Sequence, residues 1–188
     1  MNTLIRDFII LIIIALIIFL YAFPRYNKFL PTIPVYNNKE VLAVKKQSQN
    51  RNLADIRYFE ITDPTVVYAF LNDVDEKRED LENIIKQAPN SLIMFLKYLF
   101  NRPRPAQLDP SINVIESETA NTPSYPAGHS FQAHYLAYKL GQKYPDKKER
   151  LCDLADRCDE VRVKAGLHYP SDGVFSKKIV GYLEKMGM

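Results

Sequence analysis

His168 and Asp172 stand four residues apart, with Arg162 six residues before the histidine and Gly166 just upstream. A carboxylate at that spacing can take the proton of one imidazole nitrogen. This fixes the tautomer and leaves the other nitrogen a lone-pair nucleophile. Arg162 adds a planar fork suited to phosphate oxygens. The same residues would also describe a surface histidine beside a helix-capping aspartate. His129 lies in Ser124-Tyr-Pro126-Ala-Gly128-His129 at a predicted helix start. Free backbone N–H groups there suit an anion, and Gly128 lets it approach closely. A Pro-Gly turn with an exposed histidine is the plainer alternative. Lys97 and Arg104 are seven apart, about 10 Å along a continuous helix. Pro103 and Pro105 break the helix, however, so both cations can converge on one ligand. Taken alone, Lys97 could simply favour a helix C-terminus, with Arg102 and Arg104 as solvated loop charges. His134, the third histidine, falls mid-helix and reads as a packed or exposed face residue.

The conjunction says more than any part, because two of only three histidines fall in Pro- and Gly-punctuated stretches with basic neighbours. In this order the three stretches resemble the signature of the type 2 phosphatidic acid phosphatase superfamily. That group includes bacterial class A nonspecific acid phosphatases and vanadium-dependent haloperoxidases. Lys97, Arg104 and Pro105 match its first part; Pro126, Gly128 and His129 match most of the second; Arg162, His168 and Asp172 match the third. The likeness spans roughly residues 90 to 180 and rests on many spaced positions. Ala127 stands where the pattern has Ser, and Val161 replaces the Ser before Arg162. The first departure removes one hydroxyl donor, worth roughly 1.5–3 kcal/mol toward a charged group.

The resemblance implies a metal-independent phosphatase without a cofactor, in which His168 attacks phosphorus and forms a phosphohistidine. His129 would protonate the leaving group and then activate water, with Lys97, Arg104, Arg162 and the Gly128 amide binding the phosphate. It predicts a bell-shaped pH–rate profile. The expected substrate is a soluble phosphomonoester, as in the class A acid phosphatases, or alternatively a lipid phosphate. A vanadate-dependent haloperoxidase ranks third, since known members are much larger. A tethered interaction protein with a decayed phosphatase fold is the non-enzymatic alternative.

The elements that must position these residues read as helices. Asp63-Pro64 predicts a helix start running to about Asn72, and Glu79 to Gln87 predicts another, with Leu81, Ile84 and Ile85 on one stripe. Ser91 can cap a third that ends near Asn101. A loop should fill Ala106 to Pro126, followed by helices from Gly128 to Lys143, from a cap at Asp146 to Ala165, and from Gly173 to Lys185. Strand-like alternation is nearly absent. The expected fold is an all-α bundle of the acid phosphatase type.

At 188 residues the chain holds one domain beyond the apolar run Phe8 to Phe23. That run is longer than a usual signal-peptide core and no small-x-small cleavage site follows it, so it predicts an uncleaved membrane anchor in residues 1–23. Residues 24–50, with Pro24, Pro31 and Pro34, predict a partly extended tether, and residues 51–188 the catalytic domain. The expectation is therefore a single-pass membrane protein, with the domain extracytoplasmic or lumenal by family resemblance. A net charge of +3, with both signs interspersed, argues against nucleic acid as a partner. Cys152 and Cys158, six apart on a predicted helix, point to different faces, so no disulfide is expected between them. Oligomeric state is not encoded in any feature of the sequence.

Overall fold

A computed structural model describes residues 9–14 and 38–187. The described residues are helical, and none of them forms a strand. Helix α1 (Asn38–Gln49) and α2 (Leu53–Thr62) precede a 3-10 turn at Val66–Ala69. Helices α3 (Arg78–Gln87), α4 (Asn90–Phe100) and the short α5 (Pro105–Leu108) follow. After an irregular stretch over 109–127 come α6 (Gly128–Lys143), a 3-10 turn (Pro145–Lys147), α7 (Lys148–Lys164) and α8 (Pro170–Lys185).

Helix α6 is buried on two sides, which makes it the axis of the bundle. Ala133, Leu136, Ala137 and Leu140 pack against Leu151, Leu154, Ala155 and Cys158 of α7, together with Val66, Phe70 and Leu81. Phe131 and Tyr135 face Ile179, Val180 and Leu183 of α8, and Ile93 of α4. Each Leu, Ile, Val or Phe among them contributes about 1.5–3 kcal/mol on burial, so α6, α7 and α8 form a firm platform. Gly173 tightens it further. A Cβ there would lie 2.7 Å from Asp159 Oδ2, so any side chain at this position would have to displace the Asp159 carboxylate.

Several expectations are corrected. The single-pass membrane placement is overturned: among the described residues no helix is long and apolar enough to cross a membrane. Of the Phe8–Phe23 run only 9–14 is described, as helix. The rest of that run lies outside the described residues. The tether over 24–50 does not hold over its second half, because 38–49 is helix α1. Val41 and Val44 of α1 bury against Ile112, Val163 and Tyr169. Residues 24–37 lie outside the described part.

Asp63-Pro64 does not open a helix. Asp63 closes α2, its N–H bonded to the Phe59 carbonyl, and only a single 3-10 turn follows, at Val66–Ala69. Helix α2 itself begins at a capping box between Asn52 and Asp55. Helix α8 starts earlier than predicted, at Pro170, with Tyr169 as its cap; the Asp172 carboxylate accepts from the Tyr169 N–H at 3.0 Å. Cys152 and Cys158 are both free thiols.

Candidate active site

Lys97 sits in the last turn of α4. Asn101, with φ at 45°, ends that helix in the left-handed region, so the chain turns back before Arg102 and Arg104. The buried Lys97 Nζ donates to the Pro123 carbonyl at 2.7 Å. Arg104 caps α5 and is also buried. Its Nε donates to the Thr122 carbonyl at 3.0 Å, and its Nη1 reaches the Leu167 carbonyl at 3.0 Å and His168 Nε2 at 3.1 Å. Arg162 lies in the last turn of α7, its guanidinium 4.8 Å above the Phe59 ring. Its Nη2 donates to the Thr62 carbonyl at 2.6 Å, and Nη1 stands 3.4 Å from Asp63 Oδ1. Yet among the described residues neither Nε nor Nη1 of this buried guanidinium has a hydrogen-bond partner.

His168 follows α7 through Gly166, whose φ of +77° turns the chain; the Leu167 N–H then returns to the Arg162 carbonyl at 3.2 Å. His168 Nδ1 stands 3.0 Å from Asp172 Oδ2, one turn into α8. A carboxylate can only accept, so Nδ1 carries the proton, and Nε2 presents its lone pair toward Arg104. Asp172 is fully buried and held from every side, by Ser124 Oγ, the Tyr169 N–H and Arg102 Nη1. His129 is the second residue of α6, and its Nε2 lies 2.8 Å from the Asp63 carbonyl. That oxygen accepts only, so Nε2 is protonated and Nδ1 is the nitrogen that gains or loses the second proton.

Lys97, Arg104, Gly128, His129, Arg162 and His168 together line one cavity of about 290 Å³, and Asp172 stands behind His168. The structure thus brings every predicted site residue to one place. Among the described residues the only carboxylate on the cavity wall is that of Asp63, so the cavity carries a net positive charge. Burial, and then the charge of Arg104, push Lys97 well below its ordinary value. Burial likewise lowers Arg104 to about 10. His129 is driven well below the usual imidazole value by burial and by Arg162. His168 falls to about 3 through burial and Arg104, despite Asp172. Burial alone would raise Asp172, but its bond to His168 and the charge of Arg102 hold it at about 2. A larger groove of about 760 Å³ joins the cavity through Arg104, Ala120, Thr122 and Leu167.

Neither a positive φ nor a close neighbour requires glycine at position 128. An added Cβ would meet only Lys97 Cε, at 3.8 Å, so the space before it is open to a ligand. Ala127 caps α6 and is buried away from the cavity wall, while Val161 packs with Phe59, Ala165 and Leu167. The second departure from the superfamily pattern is thus a core position.

Sequence reasoning missed Asp63, which orients His129 and approaches Arg162, and Ser124, which holds Asp172. It also took Arg102 for a solvated charge. Arg102 is 1% exposed, and ties Asp172 to Glu40 of α1. Arg102 and Ser124 lie within the first two motif stretches, so a signal for both existed. Glu40 left none. His134 is a buried face residue whose Nε2 reaches Asp159 Oδ2 at 2.9 Å, joining α6 to α7. Comparison with models of known protein families finds no match, and comparison with curated proteins finds none either.

Proposed function

We propose that this chain is a phosphatase of the type 2 phosphatidic acid phosphatase kind, hydrolysing soluble phosphomonoesters without a metal through a phosphohistidine. The observation that carries the reading is a buried guanidinium, Arg162, whose Nε and Nη1 make no hydrogen bond among the described residues, beside Lys97 and Arg104 on one cavity wall. Unsatisfied buried donors are costly, and a tetrahedral oxyanion supplies the acceptors they lack. A lone anion pocket would explain the cations but not the histidines. The Nε2 lone pair of His168, steadied by Asp172, gives the same cavity a nucleophile.

In this reading the phosphoryl group displaces the contact between Arg104 and His168 and takes its place between them. Nε2 attacks phosphorus and the bond to the alcohol oxygen breaks; His129, protonated, gives that oxygen its proton. His129 then takes a proton from water, which attacks phosphorus, breaks the P–N bond and returns the lone pair to Nε2. Lys97, Arg104, Arg162 and the backbone at Gly128 meet the charge on the equatorial oxygens.

The test is turnover of a chromogenic phosphomonoester by the full chain. Activity should persist with chelator and fall with vanadate. It should drop by at least about a thousandfold in His168→Ala, with an acid-labile, base-stable phosphoenzyme trapped in the wild type. Full turnover by His168→Ala would end the proposal.

A further inference from the structure

Glu40 belongs to α1, far in sequence from every motif, yet it reaches the back of the site. Its Oε2 accepts from Arg102 Nη2 at 2.6 Å and from Ser171 Oγ at 2.9 Å, and its Oε1 accepts from the Ser171 N–H at 3.0 Å. Arg102 turns its other edge to Asp172 Oδ1, at 2.5 Å, and to Ser171 Oγ, at 2.6 Å. The face of its guanidinium lies 3.7 Å from the Tyr169 ring centre, which fixes the plane of the fork. The other carboxylate oxygen, Oδ2, receives His168 Nδ1.

We propose that Glu40 and Arg102 form a positioning relay behind the nucleophile, in which Glu40 aims Arg102, Arg102 holds the Asp172 carboxylate, and Asp172 fixes the His168 ring. Neither residue lines the substrate cavity, so both act through Asp172 rather than on the phosphate. The two charges act in opposite senses. Arg102 draws on Asp172 and weakens its hold on the His168 proton; Glu40 partly cancels Arg102 and restores that hold. Other charged groups also face His168. Asp63, Lys97, Arg104, His129 and Arg162 share its cavity, and Asp156, Asp159 and Glu160 of α7 share the smaller cavity behind it. These are the same in wild type and in the variants below, so a difference between variants reports the relay.

The inference rests on the phosphatase reading, and the experiment separates the two. The acidic limb of kcat/KM against pH, where His168 takes up its proton, is recorded for the full chain, for Glu40→Gln and for Arg102→Met. Glu40→Gln should move the limb to lower pH and Arg102→Met to higher pH, each by about half a unit or more. Arg102→Lys keeps the charge and should return the limb toward wild type, while kcat stays down by about tenfold because the fork is lost. KM should hold nearly constant throughout. A merely structural clasp would lower thermal stability and leave the limb in place, or move it the same way in both variants; either result overturns the relay. Should Arg102→Met fail to fold, the limb of Glu40→Gln decides alone. Should the wild type hydrolyse nothing, the phosphatase reading fails. The relay is then judged by the same opposed shifts in a ¹⁵N titration of the His168 ring.

Discussion

His129 and His168 line one cavity but are asked for opposite protonation states, and their surroundings bear on whether both can hold at once. Burial and Arg104 lower His168 to about 3, so it stays neutral and nucleophilic through the mildly acid range. Burial and Arg162 also lower His129 well below 6.5, so in the free protein it loses its acid proton before neutrality. A lowered pKa means the proton leaves at a lower pH, so kcat/KM should peak on the acid side of pH 6.5 and fall above it. A bound phosphate raises the His129 value again, so the falling limb of kcat should lie at higher pH than that of kcat/KM. Coincident limbs, or an optimum above neutrality, would contradict this assignment. Gly128 gives a second prediction. Its Cβ-free face meets only Lys97 Cε, at ordinary contact distance, so Gly128→Ala should unfold at nearly the wild-type temperature. The added methyl projects toward the ligand, however, and the inhibition constant for phosphate should rise by about tenfold, or ~1.4 kcal/mol. A large loss of stability with unchanged phosphate binding would reverse that account.

Elements deliver these side chains by the way they end. Helix α4 stops at left-handed Asn101, α7 at left-handed Gly166, and α6 and α8 begin where the returning chain meets them. Gly166 is the tightest of these, since a Cβ would approach Ile112 Cγ2 to 2.9 Å on a backbone already at φ +77°. Gly166→Ala should therefore cost about 1–3 kcal/mol of stability and displace His168, lowering kcat more than it weakens phosphate binding. Equilibrium denaturation beside steady-state kinetics measures both, and an alanine variant of native stability would refute the strain. These endings explain what the sequence could disclose. The spans of α3, α4 and α6 were legible because a long apolar stripe and Pro or Gly punctuation mark them locally. Helix α1 was not, because its buried stripe is little more than Val41 and Val44, and these find their partners only at Ile112, Val163 and Tyr169. Asp63-Pro64 misled for a related reason. An Asp-Pro pair opens helices in general, but here Asp63 lies on the end of α2 and its carbonyl serves His129 instead. The motif residues could be picked out one by one, whereas Arg102 depends on Glu40, 62 positions away.

For the molecule as a whole, the bundle spends stability on a positively charged hole. Lys97, Arg104 and Arg162 are each nearly or fully buried, and among the described residues Asp63 alone answers them on the wall. Protons leave in response: Lys97 lies well below its ordinary value, and His129 does too. A dianion entering the cavity restores the charge that burial disfavoured, so both groups rise again, and any group whose value rises on binding takes up a proton between its free and bound values. Sulfate isolates the effect, because it keeps a fixed double charge over the whole range where phosphate itself titrates. Sulfate binding should take up protons, seen calorimetrically as a binding heat that changes with the ionisation heat of the buffer. The dependence should shrink in Lys97→Met. The same ligand, at about a hundred times its dissociation constant, should stabilise the fold by about 2.7 kcal/mol. Heat independent of buffer, or protons released on binding, would mean that the cations are already compensated within the fold. The cavity would then have no electrostatic reason to hold a phosphate.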